Sequence, residues 1–290
     1  MMFKLGVFTD EISQDFEHAV QVAQEYRLQT VEIRSAWDKR LHQLSDDDVA
    51  RIMRILEPTG IKVSIASAQF YKCDIDDDEA CAEHLRIFAR CLEIAPRLGT
   101  DMVRGFTFWN TGHTDEIWGK LLERYQQPVE MAATAGIILA IENEAACSVS
   151  NARYLQRFLA DINRPHVKAL WDPANEVFAD DGERPYPDAY HRVEKEMVHF
   201  HLKDARRDEQ SGEPRCVAVG EGVINWQGQI KALLESGYSG TVSLETHWRP
   251  TQLSEEQLNR PGGAEFSSCG EYATRVCLDN LLRIVKQVTG

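Results

Sequence analysis

Short runs of β-branched and aliphatic residues alternate strictly with longer helical patterns along this chain, and that alternation limits the fold more than any other feature. Strand-like runs fall at Phe3–Thr9, Gln29–Ser35, Ile61–Ala68, Asp101–Thr107, Ile137–Asn143, Val167–Asp172, Val198–Lys203 and Thr241–Thr246. Helical patterns fall at Ser13–Tyr26, Ser45–Thr59, Asp76–Leu98, Thr114–Ala135, Ser150–Ile162, Pro187–Lys195, Trp226–Ser236 and Glu265–Val288. Such alternation predicts a parallel sheet with helical crossovers, and so many units on one unbroken chain predict an α/β fold closed into a (β/α)8 TIM barrel rather than an open sheet. No Gly-, Ser- or Pro-rich linker divides the chain, so residues 1–290 are read as one domain. Ser45 with Asp48 three residues on has the pattern of a capping box, Ser150 suits an N-cap, and Gly136 suits a helix end. Two long stretches, Ala205–Ile224 and His247–Ala264, show no regular pattern. Each follows a strand, which puts both at the C-terminal face of a barrel, where long loops usually carry function.

Composition removes several classes of function. A formal net charge of −14 opposes a phosphate backbone, so no nucleic-acid partner is expected. No run approaches the roughly 18 apolar residues that span a bilayer, and MMFKLGVFTDE reads straight into a strand without the pattern of a secretory signal. A cytoplasmic location without a membrane partner is therefore expected. The seven cysteines form no CxxC pair and are odd in number, which argues against a zinc knuckle or a disulfide framework. Gly220 and Gly222 follow a loop rather than a strand and make no dinucleotide fingerprint, and neither a phosphate-binding GxxxxGK[ST] nor a Gly-x-Ser-x-Gly elbow is present.

Polar residues punctuate the ends of the apolar strands in the second half: Glu142 in GIILAIENE, Asp172 in VKALWDPAN, His201 in MVHFHLKD and Glu245 in GTVSLETHW. A barrel converges its strand ends on the face where active sites of this fold sit. Strand side chains alternate with period two, so Ala140 shares a face with Glu142, and Thr241 and Ser243 with Glu245, leaving room at the axis if these end residues point inward. Taken singly, a strand-end Glu is usually solvated, a strand His is more often a hydrogen-bonded core residue, and an Asp before Pro is commonly a turn or cap. Together, three carboxylates and an imidazole repel one another or call for a cation. One divalent metal ion on these oxygen and nitrogen donors suits Mn, Mg, Co or Zn.

The segments LAIENE (139–144), WDPAN (171–175), HFHLKD (199–204), VGEGVINW (219–226) and SGYSGTVSLE (236–245) resemble the xylose isomerase-like superfamily of sugar phosphate isomerases and epimerases. TDEIS (9–13) and VEIRSAWDK (31–39) are similar to one branch of it. The resemblance implies a metal-dependent barrel with ligands at Glu142, Asp172, His201 and Glu245, and makes Glu142 and Glu245 the catalytic pair that moves the proton. Epimerases of the family typically carry a His three residues after the sixth-strand Asp, where this chain has Asn175, an amide that binds a hydroxyl but shuttles no proton. Inosose and dehydroshikimate dehydratases and hydroxypyruvate isomerases share the resemblance. The apurinic endonucleases also do, but they use a richer set of His ligands. Related barrels commonly pair or form tetramers, so a homo-oligomer is open.

The expected chemistry is proton abstraction beside a carbonyl of a small sugar-like molecule, a keto sugar, sugar phosphate or polyol derivative, through a metal-stabilised enediolate. Return of the proton gives an isomer or epimer; loss of a β-hydroxyl gives dehydration instead. A barrel that binds a sugar without turning it over is the third reading. Lys203, on the His201 face, either stabilises the enediolate, binds a substrate carboxylate or is a surface lysine, while Asp204 orients a neighbour. Arg215, in the loop after strand seven, could hold a hydroxyl or carboxylate. Arg104 ends strand four, and with Arg34 would favour an anionic substrate, unless Glu32 and Arg34 form a structural pair. Trp109 and His113 are candidates for lining the pocket, and His247 and Arg249 are weaker ones.

Overall fold

Each right-handed crossover lays the next strand beside the last, and eight repetitions bring the final strand back to the first. The computed structural model describes residues 3–251 and 253–290, so Gln252, inside the expected His247–Ala264 loop, lies outside the described residues. Its barrel strands are β1 (Lys4–Phe8), β2 (Thr30–Ile33), β3 (Lys62–Phe70), β4 (Met102–Gly105), β5 (Ile138–Glu142), β6 (Val167–Trp171), β7 (Met197–Leu202) and β8 (Thr241–Leu244). All neighbours pair parallel, and β8 closes on β1 with Gly6 opposite Ser243. On β8's other side, Ser243 lies opposite His201.

The helices form where the sequence places apolar residues on one stripe and a capping group at the start. Helix Asp46–Leu56 buries Val49, Ile52 and Leu56 against the barrel, burial that stabilises by about 1.5–3 kcal/mol per side chain. Its Ser45 hydroxyl accepts from Asp48 N at 3.1 Å, and Asp48 Oδ2 accepts from Ser45 N at 2.8 Å. Helix Ala152–Ile162 is capped by Asn151 rather than Ser150, because the Asn151 amide oxygen reaches Tyr154 N at 3.0 Å. Gly136, left-handed at φ 66°, ends helix Thr114–Ala135.

Departures from the expected elements sit at the C-terminal face, among them a helix, Glu255–Asn259, inside the stretch His247–Ala264. The stretch Ala205–Ile224 is not irregular throughout: Asp204–Arg207 and Pro214–Val217 pair as an antiparallel hairpin. A short helix, Pro173–Phe178, starts directly after Asp172, which serves as its N-cap through a 2.8 Å bond from Ala174 N. The closing helix is broken in two. Ala264–Ser267 ends before Cys269, whose φ of 56° interrupts the helix, and Gly270–Thr289 follows.

The filling of the barrel axis positions the site. Ile65, Ala140 and Leu170 form a small apolar plug of their own, with Met102 and Val198 packed against it. Toward the strand C-termini the plug gives way to buried polar side chains from every strand of the second half.

Candidate active site

Strand periodicity aims Glu142, Asp172, His201 and Glu245 inward from the ends of β5 to β8, and the structure brings the four together. One donor atom of each lies within 4.8 Å of the other three, and all four residues are buried. Glu142 Oε1 is 3.1 Å from His201 Nδ1, and its Oε2 accepts from Arg104 Nη1 at 3.0 Å. Glu245 Oε1 accepts from Arg34 Nη1 at 2.8 Å and its Oε2 from Lys203 Nζ at 3.2 Å. Asp172 Oδ2 lies 2.9 Å from Lys203 Nζ but accepts no aligned hydrogen bond. Asn143 braces Asp172 from the neighbouring strand, accepting from its N at 2.9 Å and donating to its carbonyl at 2.8 Å.

Charges in this packed layer shift one another strongly. Burial, helped by Glu142 and Glu245 and opposed by Lys203, pushes the Asp172 carboxyl up to about 6. Burial also disfavours a charged His201, but the carboxylates of Glu32 and Glu142 outweigh it and raise the imidazole to about 10. Despite burial, Glu142 is held below its ordinary range by His201 and Arg104, and Glu245 well below by Lys203, His247 and His201. Both glutamates are therefore ionised at neutral pH and able to accept a proton.

The donor set fits a divalent cation. In the ion-pair network of the cluster the buried carboxyls are Asp10, Glu11, Glu32, Glu142, Asp172 and Glu245, against the permanent cations Arg34, Arg104, Lys203 and Arg249, while Lys72, also buried at the mouth, is taken up by Glu144. With neutral imidazoles that leaves a deficit of two positive charges. Three carboxylates and an imidazole at one point are hard and borderline donors of the kind such an ion takes, and Asp172 Oδ2 is a buried acceptor still lacking an aligned donor.

The other expected residues fall in three places. Arg104 and Lys203 touch the cluster, and Asn175 lies beside it, buried, its amide donating to Asn143 O at 2.7 Å. Asn175 and Lys203 line a cavity of about 370 Å³ with Glu144, Cys216 and His247. Trp109 is half-buried at the rim, under Lys72 and Arg260. Arg215 is not in the cluster: it stands on the exposed hairpin, 3.6 Å from Asp208, and lines an adjoining cavity of about 290 Å³. His113 lies outside both cavities, exposed at the start of its helix and 3.5 Å from Glu116. Asp204 orients a neighbour, accepting from Gly220 N and Gly222 N.

Glu32 and Arg34 do not pair with each other. Arg34 Nε binds Asp10 Oδ2 at 3.0 Å and Nη2 binds Glu11 Oε1 at 3.0 Å, while Glu32 turns to His199, His201 and Ser67. Asp10 and Glu11 were missing from the residues picked by sequence, although TDEIS ends the first strand as the chosen motifs end theirs. Glu11 gathers His247 and Arg249 at 2.8 and 2.9 Å, and His247 Nδ1 lies 3.9 Å from Glu245 Oε1. Also unforeseen is Lys72, whose Nζ joins Glu144 Oε2 at 2.7 Å to the carbonyl of Asn259 at 2.9 Å, tying the last long loop across the mouth.

Residues 20–265 match the family described as xylose isomerase-like TIM barrel. The chain belongs to that family. Among curated members, it is 24% identical over 232 residues to L-ribulose-5-phosphate 3-epimerase UlaE of Escherichia coli, covering 74% of this chain and 75% of that one. It is 23% identical over 151 residues to an inosose dehydratase of Yersinia enterocolitica, covering 47% of this chain and 50% of that enzyme, so the match spans about half of the dehydratase. Among solved structures, D-psicose 3-epimerase from Clostridium cellulolyticum H10 superposes with a TM-score of 0.74 at 15% identity over 98% of this chain and 99% of that one. A xylose isomerase-like barrel protein of Mycobacterium smegmatis, solved in complex with magnesium, superposes at 0.65 with 19% identity over 93% and 89%. No helix among the described residues is long and apolar enough to cross a membrane.

Proposed function

We propose that this family member is a metal-dependent isomerase or epimerase of a small keto sugar, sugar phosphate or polyol derivative, moving a proton on the carbon beside a carbonyl. The observation that carries the reading is the pair Glu142 and Glu245. Both are buried and ionised, they face each other across one cluster from β5 and β8, and each is held by a fixed cation, Arg104 or Lys203. Glu142, Asp172, His201 and Glu245 would hold one divalent metal ion, which when bound supplies Lewis acidity to a substrate carbonyl.

The side chains do the rest. One glutamate accepts the carbon-bound proton; for an epimer the other, having taken up a proton from solvent, delivers it to the opposite face of the same carbon, and for an isomer the first returns its proton to the neighbouring carbon while the hydroxyl proton passes to the former carbonyl oxygen. Lys203 and Arg104 offset negative charge developing on the substrate oxygens. Asn175, facing the cavity, orients a hydroxyl, and both glutamates are buried at the base of the mouth. Dehydration is the second reading. The match to inosose dehydratase favours it, and so does His247, which borders the cavity two residues beyond Glu245 and could donate a proton to a leaving hydroxyl.

The test is solvent-deuterium incorporation into a panel of keto sugars and inososes, by protein stripped with chelator and reloaded with Mn2+. Exchange with retention of all hydroxyls supports isomerisation or epimerisation, and a deoxy or unsaturated product supports dehydration. Glu142→Gln and Glu245→Gln should each abolish exchange, since an amide accepts no proton; full activity in either rejects its role as base. Absence of both exchange and turnover across the panel would favour the binding-barrel reading.

A further inference from the structure

Beneath the cluster lies a buried carboxylate that the proton-moving chemistry does not use. Glu32, near the end of β2, is fully excluded from solvent. One oxygen lies 3.0 Å from His201 Nε2 and accepts from Ser67 Oγ, and the other lies 2.9 Å from His199 Nε2. Among the described residues its side-chain partners are thus two imidazoles and a hydroxyl, while neighbouring Arg34 is committed to Asp10, Glu11 and Glu245. A carboxylate buried without a permanent counter-ion is costly, and a well-packed apolar side chain would serve the fold at least as well.

The geometry around His201 gives Glu32 a task. The ring faces a carboxylate at each nitrogen: Nδ1 looks toward Glu142 and Glu245 at 3.1 and 3.8 Å, and Nε2 looks toward Glu32. A neutral imidazole has one N–H and one lone pair, and only the lone pair binds a metal. If the hydrogen sat on Nδ1 it would be donated to Glu142, and the cluster would lose its nitrogen donor. We infer that Glu32 is a positioning residue for the metal centre: by accepting from His201 Nε2 it fixes the tautomer whose Nδ1 lone pair points at Glu142 and Glu245. His199 holds the second Glu32 oxygen so that the carboxylate cannot rotate away. The His201 ring is further confined by the edge of Phe8 at 5.0 Å and by His199, perpendicular at 5.3 Å.

This inference rests on the proposed metal reading, and two measurements separate them. The first is calorimetric titration of chelator-stripped native protein and of Glu32→Gln with Mn2+. The native protein should bind, and E32Q should bind roughly 10–100-fold more weakly, the usual cost of losing such a partner, while the two stripped proteins melt alike. Equal affinities overturn the positioning role, and a native protein that binds no Mn2+ overturns both readings. The second needs no variant, so it decides the matter even if E32Q fails to fold. Nitrogen NMR of histidine-labelled native protein loaded with Zn2+ should show His201 protonated at Nε2 and bare at Nδ1. Protonation at Nδ1 refutes the assignment.

Discussion

Asp172 and His201 share a cluster yet hold their protons for opposite reasons. Burial keeps the Asp172 carboxyl neutral up to about 6, whereas Glu32 and Glu142 keep the His201 imidazole charged up to about 10. A ligand must shed its proton before it binds a metal. Between the two values only His201 carries one, so Mn2+ binding near pH 8 should release about one proton; near pH 5 Asp172 adds a second, for about two in all. Affinity therefore falls as pH falls, and falls more steeply below about 6. Calorimetry in buffers of different ionisation enthalpy counts these protons, and a count of zero at both pH values would contradict the ligand assignment. The same residues show what was legible in the sequence. Strand period turns position into direction, so Glu142, Asp172, His201 and Glu245 could be picked as a converging set, with Lys203 and Arg104 beside them. His113 and Arg215 fall in stretches of sequence with no period to give direction, and the structure leaves both exposed, one at a helix start and the other on the hairpin. For Glu32 the sequence offers a pair with Arg34 as one of two alternatives, because strand neighbours are visible in a sequence and the partner strand bringing His199 and His201 across the barrel is not.

At the scale of elements, regular pieces were readable wherever a cap and a stripe coincided. Helix Asp46–Leu56 begins at Ser45 because the hydroxyl satisfies a backbone N–H that the helix leaves unpaired, and Asp48 returns the bond. Ser45→Ala should therefore lower stability by about 1 kcal/mol, read as a lower denaturant midpoint with an unchanged slope. A midpoint equal to the native one would mean that the three acids of the first turn hold this helix start without the hydroxyl. The short elements at the mouth were not readable. DARR and PRCV are too brief and too charged to announce a hairpin, and Pro173–Phe178 is hidden because Asp-Pro reads equally well as a turn. Their pairing depends on what lies beneath. Asp204 fastens the hairpin base to Gly220 and Gly222, and Lys72 fastens the loop through Asn259. Contacts this far apart along the chain leave no local trace.

On the scale of the whole molecule, the barrel gathers one strand end after another around a single axis, and the polar ends accumulate charge there. The net charge of −14 says little about this, but the buried ledger does. Among the described residues, the linked carboxyls Asp10, Glu11, Glu32, Glu142, Asp172 and Glu245 are set against Arg34, Arg104, Lys203 and Arg249 as permanent cations, Lys72 being paired with Glu144. Part of the remaining repulsion is relieved by a proton on His201, and a divalent cation would relieve it fully. The unfolded chain scatters these ligands and binds such an ion weakly, so the metal should favour the folded state by mass action. At a free concentration of about 100 times its dissociation constant, the gain is about 2.7 kcal/mol. For a chain of this size that corresponds to a rise in melting temperature of roughly 4 °C. Chelator should lower the melting temperature by that amount, Mn2+ or Mg2+ should restore it, and Na+ at the same ionic strength should not. A melting curve indifferent to saturating divalent metal would mean that Lys203, Arg104, Arg34 and the His201 proton already complete the charge of the barrel mouth, leaving no place for an ion.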